Sequence, residues 1–154
     1  MQALNFPEYS FKTLLKGGQT TIFDPLRKRY VLLTPEEWVR QHMIRFLVDE
    51  KKVPSTLIAS EKGVLVNGLK QRFDLLVFAK NGNPLMICEC KSPDVRLSED
   101  TFHQAIRYNL TLKAHFLLIS NGLEHHVAFI DYDAVQMKFL PQIPDYQDMN
   151  QMIE

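Results

Sequence analysis

The chain has 154 residues, of which 45% are hydrophobic and 23% are charged. This composition is ordinary for a globular protein, and the length suits one domain with a buried core. No apolar run approaches the roughly 20 residues of a membrane-spanning helix, so we expect no membrane contact. The 18 basic and 18 acidic side chains give zero net charge, which excludes a strongly basic nucleic-acid binder and limits any such contact to local patches.

The N-terminus and the two cysteines indicate the compartment. Residues 1–7 contain neither a basic n-region nor an apolar h-region, so they do not resemble a signal peptide. Cys88 and Cys90 lie two apart on one predicted strand, where they are poorly placed to bridge each other. The scattered histidines do not complete the ligand spacing of a zinc site. We therefore predict a cytoplasmic protein with two core thiols.

The first third of the chain predicts a small hairpin followed by a helix. Residues 1–20 are loosely patterned, and runs of β-forming residues at 21–24 and 29–33 predict the hairpin. The helix begins after Thr34, which can cap its N-terminus, and runs to about Glu50 with an apolar stripe along one side.

Two short strands and a longer hairpin come next. The short strands are predicted at 56–59 and 64–66, and the hairpin covers residues 73–91. Asn81 and Gly82 provide the turn signal between its two apolar, β-forming runs. This hairpin forms the centre of the predicted sheet.

The last third predicts a second helix, which begins at Ser98, and strands at 115–120 and 126–130 before a polar, proline-bearing tail. The central hairpin and the strand at 115–120 are apolar on both faces, so helices should cover both sides of the sheet. The predicted fold is therefore of the α/β class, a three-layer α/β/α sandwich around a mixed sheet. Residues 1–154 are expected to form one domain with its core at about 20–131.

Three charged residues interrupt the apolar pattern of the central hairpin: Asp74 on its first strand, and Glu89 and Lys91 on its second. Antiparallel pairing about the turn sets Asp74 roughly opposite residues 89–91. Glu89 and Lys91 share a face because they are two residues apart. Charges at the mouth of an apolar sheet are costly unless something binds there. A divalent cation that holds a phosphate is the natural candidate.

An Asp followed by Glu-x-Lys across a hairpin resembles the PD-(D/E)xK nuclease superfamily, although Phe73 stands in place of the superfamily's proline. A longer series of motifs resembles the N-terminal nuclease domain of type I restriction enzyme R subunits. These motifs occur in order at residues 35–41, 72–74, 89–93, 104–109 and 120–122. The resemblance covers roughly residues 20–131.

The resemblance implies a restriction-endonuclease-like fold and a magnesium-dependent endonuclease that hydrolyses DNA phosphodiesters. Asp74 and Glu89 would bind Mg²⁺, or Mn²⁺ as its substitute, together with the backbone carbonyl of Cys90. Lys91 would orient or deprotonate the attacking water, or neutralise charge on the phosphate. A further acid would come from the first helix, at Glu36 or Glu37.

The resemblance also implies contacts with the substrate. Gln104 and Tyr108 lie four apart on one helical face, and in the family this pair contacts DNA or orients catalytic groups. Arg72 would steer the phosphate or screen Asp74. DNA is the implied substrate, with a second copy of the chain or subunits of a restriction system as partners. The chain has no G-x-x-x-x-G-K-[ST] loop, so we do not infer ATP-driven restriction.

Each of these residues also has a structural alternative. Glu37 could complete a helix cap, and Glu36 could form an ion pair with Arg40. Asp74 could form an ion pair with Arg72 or Lys91, and Gln104 and Tyr108 could be edge residues of an amphipathic helix.

Two functions other than the nuclease are also considered. One is a non-catalytic module that keeps the fold to bind DNA or a partner protein. The other is a small-molecule enzyme, which is disfavoured because the chain lacks a glycine-rich phosphate loop and a nucleophile paired with a base.

Overall fold

A computed structural model describes residues 1–66 and 68–154, with their side chains except at 61–66, 69 and 71. The chain forms two β-sheets and three α-helices across the described ranges. None of the helices in this part of the chain is both long enough and apolar enough to cross a bilayer.

Three strands near the N-terminus form a small antiparallel sheet in the order β1-β2-β3. They are β1 (Thr13–Lys16), β2 (Gln19–Asp24) and β3 (Arg29–Leu32). The predicted hairpin of β2 and β3 is confirmed, whereas β1 lies in the segment that was expected to be loosely patterned. Gly17 and Gly18 both have positive φ and form the tight turn that joins β1 to β2.

The main sheet has six strands in chain order. They are β4 (Ile58–Val66), β5 (Leu69–Phe78), β6 (Pro84–Cys90), β7 (Phe116–Ser120), β8 (His125–Asp131) and β9 (Gln136–Leu140). All neighbours pair antiparallel except β6 and β7, which are parallel. The sheet is therefore mixed, as predicted, and a helix makes the long crossover that the parallel pair requires.

The helices are α1 (Pro35–Arg45), α2 (Glu99–Leu112) and α3 (Tyr146–Met152), with a π-helical turn (Phe46–Glu50) that continues α1 and a 3₁₀ turn (Ser55–Leu57) before β4. Thr34 caps α1 as predicted, because its hydroxyl accepts a hydrogen bond from the backbone N–H of Glu37 at 3.0 Å. Ser98 caps α2, which is the crossover between β6 and β7.

The main sheet separates two clusters of buried side chains. Val39 and Met43 of α1 and Met149 of α3 pack on one face of the sheet. Ala105 of α2 packs on the opposite face, among residues that include Ile87 of β6. Helices therefore cover both faces, and the predicted α/β/α sandwich is confirmed.

Besides β1, two parts of the chain differ from the sequence-based expectation. The strands predicted at 56–59 and 64–66 are a 3₁₀ turn and one continuous strand, β4. The tail after residue 131 contains β9 and α3, and it buries Ile143, Tyr146 and Met149. The tail is mostly polar because β9 is an exposed edge strand and α3 buries only one side, so its few apolar anchors do not form a recognisable run.

Candidate functional site at the open end of the central hairpin

The central hairpin brings the two predicted carboxylates together. Leu75 of β5 pairs with Cys88 of β6, so the next step along the two strands sets Asp74 beside Glu89. Asp74 Oδ2 accepts a hydrogen bond from the backbone N–H of Cys90 at 2.7 Å. This bond holds the Asp74 carboxylate against the second strand.

Glu89 is a largely buried carboxylate with a strongly perturbed pKa. Burial first, and then the neighbouring charge of Asp74, raise the pKa of Glu89 to about 8, although Lys91 acts in the opposite direction. Its Oε1 atom is buried and has no hydrogen-bond partner among the described residues. A buried acceptor without a partner is costly, and a second negative charge beside it adds to the cost. Glu89 therefore lies in an environment that favours a proton or a cation.

Lys91 completes a small cleft between the sheet and α2. The cleft has a volume of about 50 Å³, enough for a small ion or a water molecule, and is lined by Glu89, Lys91, Thr101, Gln104, Ala105 and Tyr108. The backbone N–H of Lys91 donates to the carbonyl of Ser120 at 2.8 Å, which extends the β6–β7 pairing by one residue. Four residues that the sequence analysis assigned to the reaction or the substrate thus line one cleft: Glu89, Lys91, Gln104 and Tyr108.

Helix α2 presents Gln104 and Tyr108 to this cleft as a connected pair. The Gln104 side-chain amide donates to the Tyr108 hydroxyl at 2.8 Å. The Tyr108 ring packs edge-on against Phe73, with 6.4 Å between ring centroids. Since Phe73 directly precedes Asp74, the ring contact anchors α2 beside the carboxylates. The pair is oriented by the protein itself, and its exposed donors and acceptors face outward.

The two glutamates at the start of α1 have different surroundings. Glu37 is buried, its Oε1 forms ion pairs with Arg27 and Arg40 at 3.0 Å each, and its Oε2 accepts a hydrogen bond from Gln41. Glu36 is exposed, and its pKa is raised by partial desolvation and by the nearby charge of Asp74. The structure therefore brings Glu36 toward Asp74 and Lys91, and it places Glu37 in a separate ion-pair network.

Cys90 and Arg72 lie at the border of the site. The Cys90 thiol is buried in the cluster below α1, and burial raises its pKa well above the usual value, so the thiol stays protonated. Its backbone carries the N–H that holds Asp74. Arg72 is exposed at the start of the same strand segment, two residues before Asp74.

The donor set fits a hard divalent cation that also takes ligands from its substrate. Asp74 and Glu89 supply carboxylate oxygens, which magnesium prefers, and the unsatisfied Oε1 of Glu89 needs positive charge. Across the described residues, no three His, Cys, Asp or Glu side chains gather closely enough to hold a metal alone. A magnesium site that keeps several waters and borrows a phosphate oxygen does not require such a cluster.

Thr101 lines the cleft but was not singled out in the sequence. It lies three residues before Gln104 and seven before Tyr108, which is the helical spacing that puts all three on one face of α2. Extending the face of the Gln-x-x-x-Tyr pair by one turn toward the N-terminus would have found it.

Comparison with known proteins agrees with this arrangement. The model of the family described as type I restriction enzyme R protein N terminus (HSDR_N) matches residues 35–144, more than half of the chain. No curated protein matches the chain.

Among solved structures, the chain is similar to a fragment of an HsdR subunit of a type I restriction enzyme from Vibrio vulnificus YJ016, with a TM-score of 0.56 and 18% identity. The match covers 79% of this chain and 25% of that one, so the chain spans about a quarter of the length of the related structure. This likeness shows the fold and agrees with the mixed sheet and flanking helices. The family match over residues 35–144 shows that the chain belongs to the family of type I restriction enzyme R protein N-terminal domains.

Proposed function

We propose that this chain is a magnesium-dependent, endonuclease-like hydrolase that acts on DNA phosphodiesters. The observation that carries the proposal is the environment of Glu89. Its carboxylate is buried beside Asp74, one of its oxygens has no partner among the described residues, and the cleft it faces also contains Lys91. Membership of a restriction-enzyme family supports DNA as the substrate.

Magnesium would be held by Asp74 and Glu89, with the backbone carbonyl of Cys90 as a further ligand. When bound, the ion would supply a Lewis acid that stabilises negative charge on the phosphate and lowers the pKa of nearby water. The backbone N–H of Cys90 keeps the Asp74 carboxylate in place for this task.

Lys91 has the charge and the position to act on the phosphate. It shares the cleft with Glu89, and its backbone is fixed to β7 through Ser120. An ammonium there would neutralise charge that develops on phosphate oxygens and would orient the attacking water. Glu36 lies within electrostatic range of Asp74 and Lys91 and would add a further carboxylate near these groups.

Gln104 and Tyr108 would position the DNA strand in front of these groups. Their mutual hydrogen bond fixes both side chains at the rim of the cleft. A strand held at this rim would bring one phosphate toward Lys91. Positioning of this kind contributes to the rate because the reacting groups no longer have to find each other.

The test is metal binding together with plasmid nicking. Calorimetry should detect Mg²⁺ or Mn²⁺ binding to the wild type and none to Asp74→Asn or Glu89→Gln, and nicking should require the metal. Asp133→Asn, an exposed acid in the β8–β9 turn, is the matched control and should behave as the wild type. Equal metal binding by all variants, or no nicking of any DNA form, would instead favour a non-catalytic module that keeps the fold.

A further inference from the structure

The small N-terminal sheet has an outer face that the proposed reaction does not use. Side chains that pair across the strands form rows on this face: Lys12, Phe23 and Tyr30 in one, Leu14, Thr21 and Leu32 in the next, and Lys16 with Gln19 at the end. Ile22 and Asp24 alternate with these residues, and both are fully buried toward the rest of the protein. We call the first set the outer face.

The outer face is both apolar and open to solvent. Leu14 is 52% exposed, Leu32 48% and Tyr30 39%. The Tyr30 ring packs against Phe23 with 5.3 Å between centroids, and the Lys12 ammonium lies 5.7 Å from the Phe23 ring centre. An exposed aromatic ring in the same row as a lysine combines a stacking surface with positive charge.

The small N-terminal sheet is also positively charged, although the protein as a whole has no net charge. Residues 10–33 contain five basic residues and a single acid, Asp24. That acid is buried and bound to Arg27, so it does not oppose the charges of the exposed side chains. Lys12 and Lys16 are exposed on the outer face, and Lys28 and Arg29 are exposed at the β2–β3 turn.

The outer face lies close along the chain to the start of α1, which carries Glu36. Glu36 begins the first turn of α1 four residues after Leu32, so their Cα atoms are at most about 14 Å apart. The β2–β3 turn is fastened to the same helix, because Arg27 donates to Glu37 at 3.0 Å. Glu36 in turn is coupled electrostatically to Asp74 and Lys91. The first turn of α1 thus links the small sheet to the candidate site.

From this arrangement we propose that the outer face binds unpaired DNA next to the phosphodiester that the cleft cleaves, so that the preferred substrate carries a single-stranded segment. The link to cleavage rests on the proposed function, whereas the binding surface does not. Bases of an unpaired strand can stack on Tyr30 and cover Leu14 and Leu32, and its phosphates can contact Lys12 and Lys16. The outside of an intact duplex offers phosphates but no bases to cover apolar side chains, so it fits this face less well.

The first test measures binding without cleavage. A fluorescein-labelled oligothymidine is titrated in EDTA and followed by anisotropy, with the matching duplex as competitor. Tyr30→Ala should weaken single-strand binding by about fivefold or more, the scale of losing one base–aromatic stack. The double variant Lys12→Gln/Lys16→Gln should reduce the steepness of the log K against log salt plot by about 1.4, since each contact contributes about 0.7 for single strands.

Matched controls come from β9 and from the C-terminal end of α2. Phe139→Ala removes an aromatic side chain that is 52% exposed on β9, and Lys138→Gln with Lys113→Gln removes two exposed lysines. Both controls should bind as the wild type does. Unchanged binding by the outer-face variants, or equal losses in the controls, would overturn the proposal. Preference for duplex over single strand would also overturn it.

Cleavage separates this inference from the proposed function. If wild type cuts DNA and the outer-face variants bind and cut all substrates as wild type does, the outer-face proposal fails while the nuclease stands. If no DNA is cut but oligothymidine binding depends on Tyr30 and the two lysines, the nuclease fails while the binding surface stands. If both hold, flapped or gapped DNA should be cut faster than intact duplex, and Tyr30→Ala should reduce that advantage.

Discussion

Glu36 and Glu37 are adjacent in the sequence. Because successive side chains on a helix are rotated by about 100°, the two glutamates lie in different surroundings. Glu37 neutralises Arg27 and Arg40 inside the protein. Glu36 is exposed and lies within electrostatic range of Asp74 and Lys91. Their order relative to the Thr34 cap could not decide between them, because both fall in the first helical turn. The cations that surround Glu37 come from two separate segments.

Replacing Glu37 with Gln should destabilise the fold, because two arginines would lose the carboxylate that neutralises them in a buried place. Breaking a buried ion pair from one side costs on the order of 3–5 kcal/mol. Urea unfolding measures the loss. Glu36→Gln is the matched control and should leave the free energy of unfolding nearly unchanged while it lowers DNA nicking. The reverse pattern would assign the catalytic acid to Glu37.

The metal-free protein should lose stability as pH rises, because the raised pKa of Glu89 favours its protonated form in the folded state. Between the ordinary value of 4.5 and about 8, the folded state binds one more proton than the unfolded chain. Stability then falls with rising pH by at most about 1.4 kcal/mol per pH unit and levels off above the folded pKa. Urea unfolding in EDTA across this range measures the slope.

Glu89→Gln removes the titrating group, so the variant should show a shallower pH dependence and exceed wild-type stability at high pH. Glu8→Gln, at an exposed position, should retain the wild-type slope. Added Mg²⁺ should reduce the wild-type slope because the cation replaces the proton. A wild-type curve parallel to that of Glu89→Gln contradicts this description of the site.

On helix α2, the hydrogen bond between Gln104 and Tyr108 fixes the orientation of two side chains that line the candidate cleft. Tyr108→Phe keeps the ring contact with Phe73 and removes only the hydroxyl that accepts from Gln104. We therefore expect a small change in melting temperature and a clear decrease in DNA nicking per folded molecule. Thermal unfolding and plasmid nicking, measured on the same samples, check the two parts.

Tyr132→Phe is the matched control for this substitution. The Tyr132 hydroxyl donates to the Ala114 carbonyl at 2.7 Å and accepts from Asn109 at 2.9 Å, inside a structural network. Its loss should lower the free energy of unfolding by about 1 kcal/mol and leave nicking unchanged. A large stability loss with normal nicking for Tyr108→Phe would make Tyr108 a core residue instead.

Helix α3 closes one side of the main core although its segment was expected to be a peripheral tail. Met149 is fully buried, whereas Met152 on the same helix is 42% exposed. Met149→Ala should therefore cost about 2–5 kcal/mol of stability, and Met152→Ala should cost little. Chemical unfolding of the two variants makes the comparison. Equal small effects would show that α3 does not belong to the core.

The sequence predicts the elements whose signals are local. The Thr34 cap locates the start of α1, and Asn81-Gly82 with its two apolar flanks locates the central hairpin, whereas the bulge at Val77 and Phe78 that sets its register was not predicted. Strand β9 was not predicted because it is an exposed edge strand, and α3 was not predicted because few of its residues are buried. Asp74, Glu89 and Lys91 stood out because charges interrupt an apolar run. The coupling of Glu36 to that site depends on tertiary contacts that no local pattern encodes.

On the scale of the whole molecule, helices cover both faces of the main sheet, and the candidate site lies at the open end of its central hairpin. The cluster below α1 and α3 and the cluster below α2 fix the central hairpin from opposite faces. Asp74 and Glu89 lie between buried residues of these clusters on β5 and β6, and Lys91 directly follows the end of β6. Because the core holds both strands in place, the carboxylates cannot move apart to relieve their electrostatic repulsion. A cation bound between them would remove this repulsion, so the site would favour cation binding.

Lys91 provides the most direct test of the central claim, because the claim is that these groups cleave DNA rather than only bind it. Lys91→Ala removes the ammonium and leaves both carboxylates in place, and the backbone bond to Ser120 does not need the side chain. We predict retained folding, retained Mg²⁺ and DNA binding, and plasmid nicking lowered by about 10²-fold or more. Lys138→Ala should nick as the wild type does. Nicking by Lys91→Ala at the wild-type rate would contradict the account.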